Sequence, residues 1–202
     1  MTSDYGTLGF AQLPDVLDPA EVARWRPCLV ETAVQLPNTG KEGEIAAVFP
    51  AADARVASIL ASSALGSLAA AALGTGEIRL IAAAAYLKPP GAPATFWHQD
   101  LWFFPIAGAP MTTLWVPLTP VDEETAPMRY ATGSHREGFA DWRGDTAPEQ
   151  WPVRCTSSMA LGDVAVHDGW MLHASHANAG SRQREAIGLS YVPAGTRFAI
   201  RA

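Results

Sequence analysis

His98 and Asp100 stand two positions apart in the stretch Thr95-Phe96-Trp97-His98-Gln99-Asp100-Leu101-Trp102-Phe103-Phe104. In an extended strand, side chains two apart point to one face, so this imidazole and this carboxylate converge. Such a pair suits a first-row divalent metal, and a second histidine would complete the two-His, one-carboxylate facial triad that holds Fe(II) and leaves positions open. The His-x-Asp pattern alone is common by chance, so the second histidine decides. Four remain: His135, His167, His173 and His176. His173 shares a strand face with Ser175, whereas His176 falls off that face and His167 lies inside the apolar run that follows Gly162-Asp163. His173 is therefore the expected third ligand. His135 reads as a structural loop residue. Beyond His173, a basic pair opens the last apolar run. A guanidinium is the natural two-pronged partner of a carboxylate. Arg182 and Arg184 are two apart, so periodicity leaves both open for that role.

The rest of the chain must position these groups. A chain of 202 residues, 49% hydrophobic and 17% charged, is long enough for one domain with a true core and too apolar to be disordered. A net charge of −6 with no Lys/Arg cluster leaves no footprint for nucleic acid or an anionic membrane surface. The N-terminal stretch lacks the basic and apolar regions of a signal peptide, and no apolar run is long enough to span a bilayer. Cys28 and Cys155 are far apart and read as reduced thiols. A cytoplasmic location is expected.

Asp18-Pro19-Ala20-Glu21 is a helix start, with Asp at the cap and Pro at the first position; the helix is expected to reach about Leu36, with Pro27 kinking or breaking it. Residues 53–73 read as helix, in one piece or two, stopped by Gly74. Residues 41–50 are ambiguous. After Gly76 the texture turns extended, with strands expected over 8–13, 77–88, 95–104, 112–118, 128–131, 164–167, 169–173 and 185–192. Residues 141–152 read as a polar loop. Helices followed by many short, turn-bounded strands predict a mainly β fold with flanking N-terminal helices. The whole chain is expected to be one domain, with a helical flank at about 14–74 and a β core at about 77–192.

Taken in order, His98-Gln99-Asp100-Leu101, Gly133-Ser134-His135, Gly162-Asp163 and His173-x-Ser175-x-x-Asn178, with Arg184 eleven positions after His173, resemble the phytanoyl-CoA dioxygenase family. The resemblance runs from about Leu8 to Val192. It implies a double-stranded β-helix, or jelly-roll, core and an enzyme dependent on Fe(II), 2-oxoglutarate and O2. It implies that His98, Asp100 and His173 bind the iron and that Arg184, rather than Arg182, pairs with the distal carboxylate of 2-oxoglutarate. It places the Ser175 hydroxyl beside that carboxylate, and Trp115 and Lys88 around the cosubstrate. The family's usual Pro-Gly-Ser-His appears here as Thr132-Gly133-Ser134-His135.

What the resemblance implies for chemistry is oxidative decarboxylation of 2-oxoglutarate to succinate and CO2, coupled to oxidation of a C–H bond. In related halogenases the position of Asp100 is Gly or Ala; a carboxylate there points to hydroxylation, or to desaturation, epimerisation or ring closure, rather than halogenation. Trp97, Trp102, Phe103 and Phe104 read either as core or as a wall for substrate. Trp102 and Phe104, following the metal motif, are expected at the mouth of the pocket. The aromatic content favours an apolar or aromatic small-molecule substrate. The competing readings are a metal-binding cupin-type isomerase or binding module, which would have no use for Arg184 with Ser175, and a family member that keeps the fold without turnover.

Overall fold

In the computed structural model, residues 3–38, 43–49, 56–57, 59, 61–106, 108–142 and 144–199 are described. Along the chain come helix α1 (Ser3–Leu8), strand β1 (Phe10–Leu13), helix α2 (Pro19–Gln35), β2 (Ile45–Val48), helix α3 (Ser63–Leu73), β3 (Ile78–Lys88) and β4 (Thr95–His98). A 3-10 turn at Asp100–Phe103 follows, then β5 (Thr112–Pro117), β6 (Met128–Ala131), β7 (Val153–Cys155), β8 (Val164–Asp168), β9 (His173–Ser175) and β10 (Arg184–Pro193). The strands form two antiparallel sheets. One has the order β1-β8-β5-β10-β3-β2, the other β4-β9-β6-β7. This is the jelly-roll core with N-terminal helices, as expected.

The two faces of the large sheet divide by strict alternation. On β10, Ile187 and Leu189 point outward with Leu114 and Val116 of β5, Val164 and Val166 of β8, and Ala83, Ala85 and Leu87 of β3. Helices α2 and α3 cover that face with Val22, Trp25, Leu29, Ala33, Leu65 and Ala69. Burying each such Leu or Val contributes about 1.5–3 kcal/mol. The opposite parity, Arg184, Gly188 and Ser190 of β10 with Tyr86 of β3 and Thr113 and Trp115 of β5, turns inward to a cavity between the sheets.

Local chemistry accounts for the helix ends. Asp18 accepts from the Ala20 amide at 2.9 Å, and α3 ends on Gly74 with a left-handed φ of 65°. Helix α2 runs through Pro27 as one element. Its buried stripe docks on the sheet on both sides of the proline, and that packing outweighs the one missing hydrogen bond. Helical turns at 56–57 and 59 are separated from α3 by a break at 61–62, while 50–55, inside the expected helix, fall outside the described residues.

Several boundaries move. The first strand begins only at Phe10, because Ser3–Leu8 is helical and Gly9 turns the chain at φ 85°. Strand β9 begins at His173, after a turn in which Trp170 N–H donates to Asp168 Oδ1 at 2.8 Å. The ambiguous stretch contains edge strand β2. Strand β7 has all three residues exposed, so no apolar alternation announced it.

Candidate active site

Two histidines meet because β4 and β9 pair with His98 opposite His173 and Thr95 opposite Ser175. Three steps on β4 answer two on β9, so one extra residue bulges out. The bulge lets Thr95 and His98, an odd number apart, both line the cavity. Strand β4 ends at His98, and Asp100 opens the 3-10 turn rather than continuing a strand. Gln99 between them is extended at φ −114°, ψ 133°, so Asp100 still comes round to the His98 side. The Gln99 amide locks that corner. Its Nε2 donates to the carbonyls of Gly138 and Trp170 at 2.7 and 2.6 Å, and its Oε1 accepts from Ala140 N–H.

His98, Asp100 and His173 have ligand atoms within 4.8 Å of one another. Nε2 of His98 is 3.6 Å and Nε2 of His173 is 3.5 Å from Asp100 Oδ1. Each Nδ1 lies against a carbonyl, Phe96 O at 2.8 Å and Met171 O at 2.9 Å. A carbonyl only accepts, so both Nδ1 atoms carry the proton and both Nε2 lone pairs face Asp100. Burial, foremost, holds both imidazoles below their ordinary pKa, His173 well below, despite the nearby carboxylate. Burial would raise the Asp100 carboxyl, but His173, then His167 and His98, outweigh it and hold the group well below the usual carboxylate range. Two neutral nitrogens and one anionic oxygen facing a common point fit a divalent first-row ion, whose bonds to such atoms are about 2.0–2.2 Å.

The second oxygen of Asp100 is held elsewhere. Thr113 donates to Oδ2 at 2.6 Å and His167 Nε2 lies 3.0 Å from it. Thr113 and His167 are direct partners across β5 and β8. The sequence weighed His167 only as a rival third ligand. Its place is on the other carboxylate oxygen, with its ring 4.3 Å from that of His173, and the usable signal was a polar residue following Val164-Ala165-Val166 on the inward parity of Ala165.

Deeper in the cavity, Arg184 is 2% exposed and lies opposite Lys88 in the β10–β3 register. Its guanidinium donates from NH1 to Ala126 O at 3.3 Å and from NH2 to Glu44 Oε1 at 3.1 Å, while Nε is buried without a partner. Trp115 lies beside it, the guanidinium carbon 5.5 Å from the ring. Lys88 sits behind the cavity wall, donating to Thr95, Ser175 and His176 O at 3.0, 2.8 and 3.1 Å. Burial first, with Arg184, brings Lys88 down to about 8 against the pull of Glu44. Ser175 lines the cavity between them. Arg182 lies outside, paired with Asp122 at 2.6 Å on an exposed surface. A buried cation with an orphaned N–H, on the wall of a cavity that also presents a metal-binding triad, fits a carboxylate that also chelates the metal.

The aromatic wall differs from expectation at one position. Phe103 and Phe104 line the cavity of about 400 Å³, whereas Trp102 does not; it is 42% exposed and stacks on Phe139 at 4.9 Å. A 3-10 turn eclipses residues three apart. Phe103 therefore shares the face of Asp100, where a continued strand would have put Trp102. Trp97 is fully buried on the outer side of the small sheet, with the Arg129 guanidinium over its ring. His135 lies outside the cavity, near Gly6 O, packed so closely on Gly9 that a Cβ there would collide with its ring. His176 points to Cys155.

The jelly roll with two histidines and one carboxylate at its mouth, and a buried arginine behind them, defines a class of non-haem metal enzymes. The sequence matches the family model "Phytanoyl-CoA dioxygenase (PhyH)" over residues 5–186, and the chain belongs to that family. No curated protein matches the sequence. Among solved structures, it resembles the non-heme alpha-ketoglutarate-dependent epimerase SnoN from nogalamycin biosynthesis, with a TM-score of 0.84 and 22% identity over 98% of this chain and 81% of that one. It also resembles the alpha-ketoglutarate-dependent carbocyclase SnoK of the same biosynthesis, with a TM-score of 0.81 and 22% identity over 98% and 86%. A third similar structure is the non-heme monooxygenase ThoJ, with a TM-score of 0.80 and 21% identity over 98% and 78%. Family membership carries the cofactor set expected from the sequence: Fe(II), 2-oxoglutarate and O2. The chain is thus an Fe(II)/2-oxoglutarate-dependent enzyme of this family. Among the described residues, no helix is long and apolar enough to cross a membrane.

Proposed function

We propose that this chain oxidises an unactivated C–H bond of an apolar or aromatic small molecule, hydroxylation being its reaction, in specialised metabolism. His98, Asp100 and His173 hold Fe(II), and Arg184 anchors the distal carboxylate of 2-oxoglutarate. When bound, the metal and cosubstrate supply O2 activation and oxidative decarboxylation, giving succinate and CO2. The protein's part is to bind, orient and keep water out. Thr113 and His167 keep Asp100 turned so that one oxygen remains for the metal. Ser175 and Trp115 shape the cosubstrate pocket, and Lys88 supplies a second positive charge behind it.

The observation that carries this reading is the facing of the triad and the buried Arg184 across one cavity. A cupin-type binding module would need the triad and leave Arg184 idle. The substrate class is supported by the walls: Ala46, Val48, Ala82, Ala84 and Gly188 on one side, Phe96, Phe103 and Phe104 on the other. Epimerisation or ring closure is the second reading, favoured by the likeness to the epimerase SnoN and the carbocyclase SnoK. All begin with removal of hydrogen from carbon, so the site's outline is shared. The test is succinate formation from 2-oxoglutarate and O2 with Fe(II), screened against apolar and aromatic metabolites, with product mass reporting the reaction. A gain of one oxygen supports hydroxylation, an unchanged mass supports epimerisation, and a loss of two hydrogens supports ring closure or desaturation. No succinate above the His173→Ala control would leave a member without turnover.

A further inference from the structure

Glu44 is the carboxylate already seated where a cosubstrate carboxylate is expected. Its Oε1 accepts from Arg184 NH2 at 3.1 Å, and its Oε2 accepts from the Thr95 hydroxyl at 3.0 Å and lies 3.8 Å from Lys88 Nζ. Thr95 is itself the end of a short relay, since Lys88 donates to both Ser175 and Thr95, and Ser175 donates to Thr95 at 2.9 Å. One carboxylate thus takes up Arg184 NH2 and the Thr95 hydroxyl, donors from two residues that line the cavity. We propose that Glu44 is an intramolecular competitor for the distal carboxylate of 2-oxoglutarate, holding the Arg184–Thr95 receptor in the resting protein and giving it up when the cosubstrate binds. The proposal rests on the cosubstrate reading above.

Charge and placement both support it. Lys88 and Arg184 are two buried cations facing one anion, so a cosubstrate carboxylate that replaces Glu44 restores the same charge balance. A buried cation without a counter-charge is costly, and Glu44 relieves that cost in the empty protein. Glu44 precedes β2, a four-residue strand at the edge of the large sheet, paired on one side only, to β3. Edge segments with few partners open most easily, so withdrawal of this carboxylate requires no rearrangement of the metal ligands. Wherever the Glu44 carboxylate goes short of bulk water, its charge still repels a second anion. Its removal therefore favours the cosubstrate. The opposite arrangement, in which Glu44 stays and helps to hold 2-oxoglutarate through the shared cations, predicts weaker binding when it is removed.

The experiment is calorimetric titration of 2-oxoglutarate into Mn(II)-loaded wild type, Glu44→Gln and Glu44→Asp, with melting curves of each protein free and saturated. Glu44→Gln is expected to bind 2-oxoglutarate roughly 10-fold tighter or more, the size of one charged hydrogen bond no longer exchanged. Glu44→Asp, whose shorter arm draws the carboxylate back from Arg184, is expected in between. Free Glu44→Gln is expected to melt below wild type and to gain more on saturation. Equal or weaker binding by a cooperatively melting Glu44→Gln protein overturns the proposal and leaves the cosubstrate reading standing. Should Glu44→Gln not fold, the same comparison with Glu44→Asp decides it. Absence of binding by wild type and both variants, with metal still bound, overturns the cosubstrate reading and the competitor with it.

Discussion

His167 Nε2 stands 3.0 Å from Asp100 Oδ2, while His98 and His173 approach Oδ1, and the His167 ring lies 4.3 Å from that of His173. With Thr113 on the same oxygen, it fixes which oxygen faces the metal site. Partners behind a ligand typically contribute 10–100-fold in metal affinity. His167→Phe and Thr113→Val are each expected to lower Fe(II) or Mn(II) affinity within about that range, with little change in the melting temperature of the metal-free protein. Metal titration beside melting curves checks this. Unchanged metal affinity in both variants would assign the pair to packing alone.

Metal removal is expected to lower the melting temperature, because an ion bound only by the folded chain stabilises it by mass action. Chelator-treated wild type should regain the difference on adding Mn(II). His98→Ala, Asp100→Ala and His173→Ala should show no such response. His176→Ala, whose ring lies by Cys155, should respond as wild type does. A preserved metal shift in any of the three triad variants would remove that residue from the site.

Arg184→Ala should weaken 2-oxoglutarate binding by about 2–5 kcal/mol, the range for truncating one partner of a buried charge pair. Arg184→Lys should fall between, keeping charge without the two-pronged geometry. Arg182→Ala should match wild type, since Arg182 is exposed and paired with Asp122. Calorimetry on metal-loaded protein distinguishes these. Collapse in the Arg182 variant with normal binding by Arg184→Ala would move the anchor.

Lys88 confers a pH dependence whose sign follows from its depressed pKa. Burial and Arg184 bring the ammonium down to about 8, against the pull of Glu44. Below that pH the group is charged and attracts the distal carboxylate. As pH rises through it the charge is lost, so 2-oxoglutarate affinity should fall on the alkaline side. The bound carboxylate favours the protonated form, so binding near that pH should take up protons. Lys88→Met should bind more weakly at neutral pH and show a flatter profile. A wild-type profile with no alkaline decline would exclude this role for Lys88.

Part of the site was written locally. His98 and Asp100 needed only an extended Gln99 between them, a property of the chain itself, and the pair converges although the strand ends at His98. The register opposite β3 brought Arg184 into the cavity, while Arg182, two positions away, precedes the strand and stays outside. The positions of the aromatics were harder to read. Trp102 and Phe104 were expected at the cavity because they follow the metal motif; Phe104 lines it, and the 3-10 turn brings Phe103 there in place of Trp102.

By itself the sequence set out the mainly β architecture, the helical cover and the closeness of His98 to Asp100, because alternation, caps and short spacings are short-range properties of the backbone. Only the tertiary structure decided which groups meet from far apart: His173 opposite His98, His167 on Asp100, Thr95 brought inward by a bulge, and Glu44 on Arg184, 140 positions away. These contacts depend on strand register and on a buried charge finding a counter-charge. Neither leaves a periodic trace, since any carboxylate the fold brings within reach of Arg184 satisfies the same electrostatic need.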